Sequence, residues 1–354
     1  MNNLIIPAAG KSSRFPNMKP KWMLTHPDGQ LMIEKALSSI KLTNYDNVVI
    51  TILREHCEKY EADLILKQIF GDKVIVCILE NVTNSSVETV IATINRLNLT
   101  GFVTVKDSDC YVECEYPLNK QFVVGMKINS NSKVDKVQNK SFILKNEDDL
   151  VLDIVEKKII SDIICIGVYG FEIKNLVDSY YLIINNPIYK FNNELYLSHI
   201  ISYLIINHKQ TFEFVQANSF IDWGTIDEWK KEQNKYKTYF FDIDGVILKN
   251  TGKWGSKNWY DSFEPIEENV ELLKQLSDRG SEIIFVTARD ENSLKQFKNY
   301  MQQKNIKYKT IITSCLHSKR IIVNDFSYTN SFPSCDAISI PRDSQLRAYI
   351  NEDL

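Results

Sequence analysis

Two apolar runs of strand length, each ending in a turn loaded with charged or hydroxyl groups, constrain this chain more than anything else in it. The first, in LIIPAAGKSSRF, leaves Leu4–Pro7 and enters a turn carrying Gly10, Ser12 and Ser13. The second, in YFFDIDGVIL, leaves Tyr239–Phe241 and delivers Asp242 and Asp244 one residue apart, before Gly245 permits a sharp turn. With 354 residues available, two hydrophobic cores are the natural solution. The expected division is a first domain over 1–229, a polar linker over 230–237 (KKEQNKYK) and a second domain over 238–354.

The pattern around the first run alternates. Leu4–Pro7, Val48–Leu53, Val74–Ile78 and Phe102–Val105 read as short buried strands, while Ile33–Ile40 and Val87–Leu97 place apolar residues at helical spacing. That order predicts a mostly parallel sheet covered on both faces. From about Gln121 to Val155 the alternation turns polar and strand-rich, which predicts a smaller region folding over the sheet edge. Ile163–Tyr169, Glu194–Ile206 and Phe212–Val215 would close the first domain. After the second run, a helix is expected from Pro265 to Gly280, with proline near its start and glycine beyond its end. Strand Ile283–Val286, helix Ser293–Met301 and strands Thr310–Ile312 and Ile321–Val323 follow.

Composition excludes several classes. A formal net charge of -3, with 25% charged residues, gives no basic stripe for nucleic acid, and no apolar run approaches the roughly 20 residues of a membrane helix. The opening residues do not read as a signal peptide, since Leu4–Ala9 leads directly into the glycine turn. Seven cysteines, an odd number among mostly apolar neighbours, read as reduced thiols of a cytoplasmic protein. Cys110 and Cys114 lack the second pair that a zinc site needs.

The first turn suits an anion. Free backbone N–H groups between a strand and a helix surround phosphate well, Arg14 adds donors, and Lys21 of Lys19-Pro20-Lys21 can reach the same place. A surface turn with a solvated arginine is the plain alternative. Further on, VTVKDSDCYVE sets Asp107 and Asp109 at the carboxyl end of a strand, where open sheets bind ligands. Asp222 stands at another glycine turn, in Ile221–Thr225. Carboxylates there suit Mg2+, which prefers oxygen ligands and keeps water while touching phosphates. An Asp-rich strand exit is equally ordinary in any turn.

PAAGKSSRF, KPK, SSVETV, DSDC, GVYGF, NELYLSHII and DWGT together resemble the sugar-phosphate nucleotidyltransferase family, over about residues 1–229, with capsule and surface-polysaccharide enzymes as the nearest relatives. The resemblance implies a Rossmann-like mixed sheet and Mg2+-dependent transfer from a nucleoside triphosphate, CTP or GTP favoured, to a sugar or alditol phosphate with release of pyrophosphate. By the same resemblance Ala9, Gly10, Ser12, Ser13, Arg14 and Lys21 would bind the triphosphate, Asp109 and Asp222 the metal, and Ser86, Asp107 and Glu194 the acceptor. Ser12 departs from the family's glycine-x-glycine turn.

FFDIDGVIL, FVTARD, SKR and IIVNDF resemble the haloacid-dehalogenase-like phosphatase superfamily, over roughly 238–340. In those terms Asp242 is the nucleophile, Asp244 the acid/base, Thr287 a phosphoryl ligand and Lys319 the neutralising cation, while Asp242, Asp244 and Asp325 hold Mg2+. The chemistry is sound on its own, because a carboxylate attacks phosphorus at neutral pH and a second one moves the protons. Thr287 could instead cap a helix, and Arg320, Lys304 and Lys309 compete with Lys319. The short intervals from Asp244 to Thr287 and from Thr287 to Lys319 leave no room for a cap domain, so the expected fold is a small capless α/β domain. An open pocket of this kind would be covered only by another domain or a second copy of the chain. Trp254, Trp259 and Tyr260 could stack on a base or sugar there, or simply pack. Two such sites on one chain imply consecutive steps, with nucleotidyl transfer first and phosphate loss from the nucleotide-linked product second. The reverse order, or one domain serving as a scaffold, are the alternatives.

Overall fold

A computed structural model describes residues 1–128, 136–191, 194–250, 259–260, 263–325 and 335–350. The chain divides into two compact units, Met1–Trp229 and Lys230–Leu354. Trp254 lies outside the described residues. Among those described, no helix is long and apolar enough to cross a membrane.

The first unit is built on a nine-stranded sheet. Strands β1 (Asn2–Pro7), β2 (Asn47–Leu53), β3 (Ile75–Leu79) and β4 (Phe102–Lys106) run parallel in the order β4-β1-β2-β3. Their sequences are nearly continuous apolar runs because both faces are covered. Leu4 and Ile6 enter a core with Ile33 and Leu66, while Ile5 between them enters another with Val87 and Val90. Helices α1 (Met32–Leu37), α2 (Arg54–Tyr60), α3 (Ala62–Phe70) and α4 (Ser86–Leu97) connect these strands. Ser85 caps α4 by accepting the Glu88 N–H at 3.2 Å, and Asn98 ends it in the left-handed region at φ 50°.

Pairing turns antiparallel beyond β4. Strand β9 (Ile163–Glu172) pairs antiparallel with β4 and with β6 (Phe122–Lys127), and β10 (Glu213–Gln216) adds to β6. The hairpin β7 (Ser141–Lys145) and β8 (Val151–Glu156) joins through Phe142 opposite Ile164. Strands β6, β7 and β8, from the stretch Gln121 to Val155, are therefore part of the main sheet rather than a separate flap, with β6 an interior strand whose residues 122–125 are all buried. A separate two-stranded ribbon pairs β5 (Cys110–Glu113) with β11 (Ser219–Asp222). Helices α5 (Ile173–Ile183) and α6 (Leu197–His208) pack on the sheet. Helix α7 (Ile226–Lys235) takes up most of the segment expected as a linker.

In the second unit, β12 (Thr238–Phe241), β13 (Glu282–Val286) and β14 (Thr310–Ile312) form a parallel three-stranded sheet in that order. Helices α8 (Glu267–Asp278) and α9 (Lys295–Gln303) supply Val270, Leu273, Phe297 and Met301 to a core with Phe241, Ile283 and Phe285. Phe285 meets Phe297 edge-on at 4.9 Å. The expected strand Ile321–Val323 is not formed. These residues are irregular and 76%, 52% and 90% exposed, because β-branched residues favour a strand only where a neighbouring strand packs on them.

Candidate active site

The loop after β1 contains two left-handed residues, Ser12 and Asn17. Ser12 has φ 49° and its carbonyl accepts the Phe15 N–H at 2.8 Å, so the turn expected of a glycine forms with a serine instead. The Ser12 hydroxyl accepts the Lys21 N–H at 3.1 Å, tying the loop to the Lys19-Pro20-Lys21 segment. Ala9 is buried below, while Gly10, Ser13 and Arg14 are exposed.

Across from it, the turn between β4 and β5 is held from beneath by Lys106, whose side chain is fully buried. Its ammonium donates to the carbonyls of Asp107 and Cys110, both at 2.7 Å, and reaches the Cys110 sulfur at 3.1 Å. Three acceptors around one buried ammonium offset its desolvation. Above it, Asp109 accepts a hydrogen bond from the Lys21 ammonium. Burial opposes ionisation of Asp109, and the charge and hydrogen bond of Lys21 override it, holding the carboxyl below its usual range. Asp107 goes the other way, raised first by burial and then by the charge of Asp109. Its N–H donates to the Gly167 carbonyl at 2.9 Å, and a Cβ at Gly167 (φ +81°) would strike its carboxylate.

The third part comes from β11. Asp222 lies opposite Cys110 in the ribbon register, and the Trp223 N–H donates to the Asp109 carbonyl at 2.9 Å. Asp222 accepts the Gly224 N–H at 3.0 Å and an ion pair from Lys140, just before β7. Thr225 and Glu228 then cap α7 reciprocally: the Thr225 N–H donates to Glu228 at 2.8 Å and the Glu228 N–H to the Thr225 hydroxyl at 3.4 Å. A Cβ placed on Gly224 would stand 3.1 Å from an Asp222 oxygen, 3.3 Å from an Asp109 oxygen and 3.8 Å from an Arg14 nitrogen. Three residues far apart in sequence thus border one point.

Around Glu194, the Tyr196 phenol donates to the carboxylate at 2.5 Å and receives the Lys157 ammonium at 2.8 Å. Burial raises the Tyr196 pKa above the usual phenol range, followed by the hydrogen bond and charge of Glu194, and the Arg14 charge opposes them. Arg14 is therefore within electrostatic reach of this cluster. Beside Lys157, buried Glu156 accepts from Ser141 and, at 2.9 Å, from Ser198. Ser86 is exposed in the first turn of α4. Lys106, Lys140 and Lys157 had no assigned role in the sequence. The one signal was a lysine inside the apolar run before DSD.

With this geometry the first unit can be set beside known structures. The nucleoside-diphosphate-sugar pyrophosphorylase of Vibrio cholerae superposes with a TM-score of 0.56 at 20% identity, over 65% of this chain and 99% of that one. A UDP-glucose pyrophosphorylase in complex with UDP-glucose gives 0.52 at 17%, over 66% and 97%. The inositol-1-phosphate CTP transferase of T. maritima gives 0.50 at 13%, over 66% and 95%. The fold is that of the nucleotide-sugar pyrophosphorylases. No family model matches the sequence, and no curated protein does.

Separately from the pyrophosphorylase-fold unit, the second unit gathers polar residues at the carboxyl ends of β12 and β13. Asp242 accepts the Ile243 N–H at 2.9 Å and pairs with Arg320 at 3.1 Å. Burial raises its pKa, and the Arg320 charge opposes this. The cation on Asp242 is thus Arg320, whereas Lys319 is in exposed coil. Asp244 is gripped by Arg289, which is 2% exposed and forks onto both carboxylate oxygens, Nε to Oδ2 at 2.9 Å and Nη2 to Oδ1 at 2.7 Å. Arg289 also donates to the Trp259 carbonyl at 3.0 Å. It stands in the FVTARD run, where only Thr287 had been given a role. Buried Thr287 uses its hydroxyl locally, accepting the Arg289 N–H at 3.1 Å. Asp325 is exposed in the irregular run after Ile321–Val323.

Among the described residues no three acidic, cysteine or histidine side chains converge as a ready cation cage, in either unit. The Asp109–Asp222 pair nonetheless fits Mg2+. Two carboxylate oxygens face one point that a single Cβ would fill, and Mg2+ is ordinarily held by one or two carboxylates with water and phosphate completing its shell. In the second unit Asp242 and Asp244 are paired with Arg320 and Arg289, as Asp109 and Asp222 are with lysines.

Proposed function

We propose that the first unit transfers a nucleotidyl group from a nucleoside triphosphate to a sugar or alditol phosphate and releases pyrophosphate. The observation that carries this reading is the meeting of Asp109, Asp222 and Arg14 around Gly224, with Lys21 on Asp109, at the carboxyl end of a strand in a pyrophosphorylase fold. Two of the similar structures are named pyrophosphorylases and the third a CTP transferase.

The exposed loop of Gly10, Ser12, Ser13 and Arg14 would wrap the triphosphate, with Lys21 reaching its phosphates. Glu194 and Lys157 would receive the acceptor, the carboxylate taking hydroxyls and the ammonium taking phosphate. A phosphate oxygen of the acceptor attacks the α-phosphorus, the α–β bridging bond breaks, and pyrophosphate leaves toward Arg14 and Lys21. The attacking phosphate is already an anion, so no side chain needs to take a proton. Positioning and charge neutralisation carry the step. Mg2+, held by Asp109 and Asp222, would supply further neutralisation of the phosphates.

The second unit, on this reading, removes a phosphate from the nucleotide-linked product. Asp242 would attack phosphorus and Asp244 would serve the leaving oxygen and then water, with Arg320 neutralising the phosphoryl group. The irregular Ile321–Asp325 run favours a second reading, in which this unit is a scaffold without turnover.

A pyrophosphate-release screen across four nucleoside triphosphates and a panel of sugar and alditol phosphates tests the first activity. Turnover with one pair, dependent on Mg2+ and strongest with CTP or GTP, is expected. Absence of turnover with every pair, from folded protein, overturns it.

A further inference from the structure

The Asp222 carboxylate already has a cation of its own. Lys140, just before β7, places its ammonium on Asp222, and that ammonium stands over the Phe220 ring, 5.7 Å from its centre. The pair is shielded, with side chains 21% and 14% exposed. Asp109 is likewise met by Lys21. The carboxylates that border the Gly224 point are therefore each neutralised by lysine from a different element. Charges facing this cluster include Arg14 from the first loop, Asp107, Asp109 and Lys106 from the β4–β5 turn, and Glu228 from α7.

We propose that Lys140 is a resident counterion that makes divalent-cation binding conditional on the triphosphate. This rests on the reading of Asp109 and Asp222 as the cation's ligands. Without nucleotide, the ammonium occupies and neutralises Asp222, so a divalent cation gains little by entering. When the triphosphate arrives with its own negative charge, the ammonium has phosphate oxygens to turn to, and Asp222 is released to the cation. Nucleotide and cation thus enter together, and each raises the affinity of the other by the same factor. Lys140 is a positioning residue here, acting on the reaction through Asp222 and the phosphates.

Mn2+ binding followed by electron paramagnetic resonance, with and without CTP or GTP, tests this on the full chain. Removing one positive charge about 5 Å from a cation, in a partly shielded site, changes its affinity on the order of tenfold or more. Lys140→Met is therefore expected to bind Mn2+ alone at least tenfold more tightly than wild type. The factor by which nucleotide improves Mn2+ binding should shrink correspondingly. Lys140→Arg, which keeps the charge, should restore weak binding of Mn2+ alone and guards against a folding artefact in the Met variant. Asp222→Asn separates the two levels. If wild type and Asp222→Asn bind Mn2+ alike with nucleotide present, the ligand assignment itself fails. If Asp222→Asn loses Mn2+ while Lys140→Met binds it no better than wild type, the assignment stands and the counterion proposal is overturned.

Discussion

Both units set carboxylates beside cations at the end of a parallel strand, but they differ in what lies around the pair. In the first unit β4 has strands on both sides, Lys106 is buried below the turn, and the Asp109–Lys21 pair is 16% and 26% exposed. In the second, β12 has a paired strand on one side only among the described residues, and the Asp242–Arg320 pair is 35% and 45% exposed. Exposed pairs are screened by water and contribute little, whereas shielded ones act strongly on whatever charge enters. A site's electrostatic strength thus follows from how many elements enclose it rather than from which residues it contains. An exception among the described residues of the second unit is Arg289–Asp244, a pair that the fold does enclose.

The comparison would break most visibly if the two chemistries were not separable. Asp109→Asn is expected to lower pyrophosphate release about 10³-fold or more, about 4 kcal/mol of transition-state stabilisation, while phosphate release from a nucleotide-linked ester is retained. Asp242→Asn should do the reverse. Parallel assays of both products decide it, and loss of both activities from either folded variant would refute the two-site reading. If phosphate release is absent in wild type as well, the second unit is the scaffold.

A smaller effect sharpens the exception. Arg289→Met leaves the Asp244 carboxylate, 17% exposed, without its partner, and breaking a buried pair of this kind costs about 3 kcal/mol. Urea denaturation should show that loss in the transition of the second unit. An unchanged midpoint would mean that Asp244 is solvated well enough to stand alone.

The smallest expected effect concerns acid. Burial, followed by the Lys157 charge, lowers the His199 pKa from 6.5 to about 4, and burial also lowers that of His56. Both histidines are in the first unit. A depressed folded pKa means that the unfolded chain takes up the proton first. The associated stability is present above about 6.5 and is lost as pH falls toward 4. After allowance for partial exposure, His199 should account for about 1 kcal/mol of that loss between pH 7 and 5. His199→Gln should flatten the dependence by that amount in denaturant midpoints, and an equal slope in both proteins would assign the effect elsewhere.

How far the sequence carried the architecture depended on whether a residue's surroundings were local. Strands β1, β2, β4 and β9 were legible because burial on both faces makes them continuous apolar runs. Helices α4 and α8 were legible through spacing and caps. The ribbon of β5 and β11 was not, since each is four residues long and only folding brings the two together. The same holds for ions. Arg14, Lys21, Asp109 and Asp222 could be named from motifs, yet the choice of Arg320 over Lys319, the grip of Arg289 and the presence of Lys140 on Asp222 are decided by geometry that no spacing encodes. Ile321–Val323 misled for the converse reason, since its strand propensity has no neighbouring strand to act on.

The exposed apolar residues of the second unit also bear on how the protein behaves in bulk. Phe240 is 52% exposed on β12, and the Ile321–Val323 run is exposed as well. Exposed apolar side chains, together with a short β-prone and uncharged stretch, are the ingredients from which neighbouring molecules build shared sheets. Clouding on concentration or gentle heating should therefore begin in the second unit while the larger sheet of the first is still intact. A charged residue introduced at Ile322 or Val323 is the natural remedy for a sample that will not stay clear.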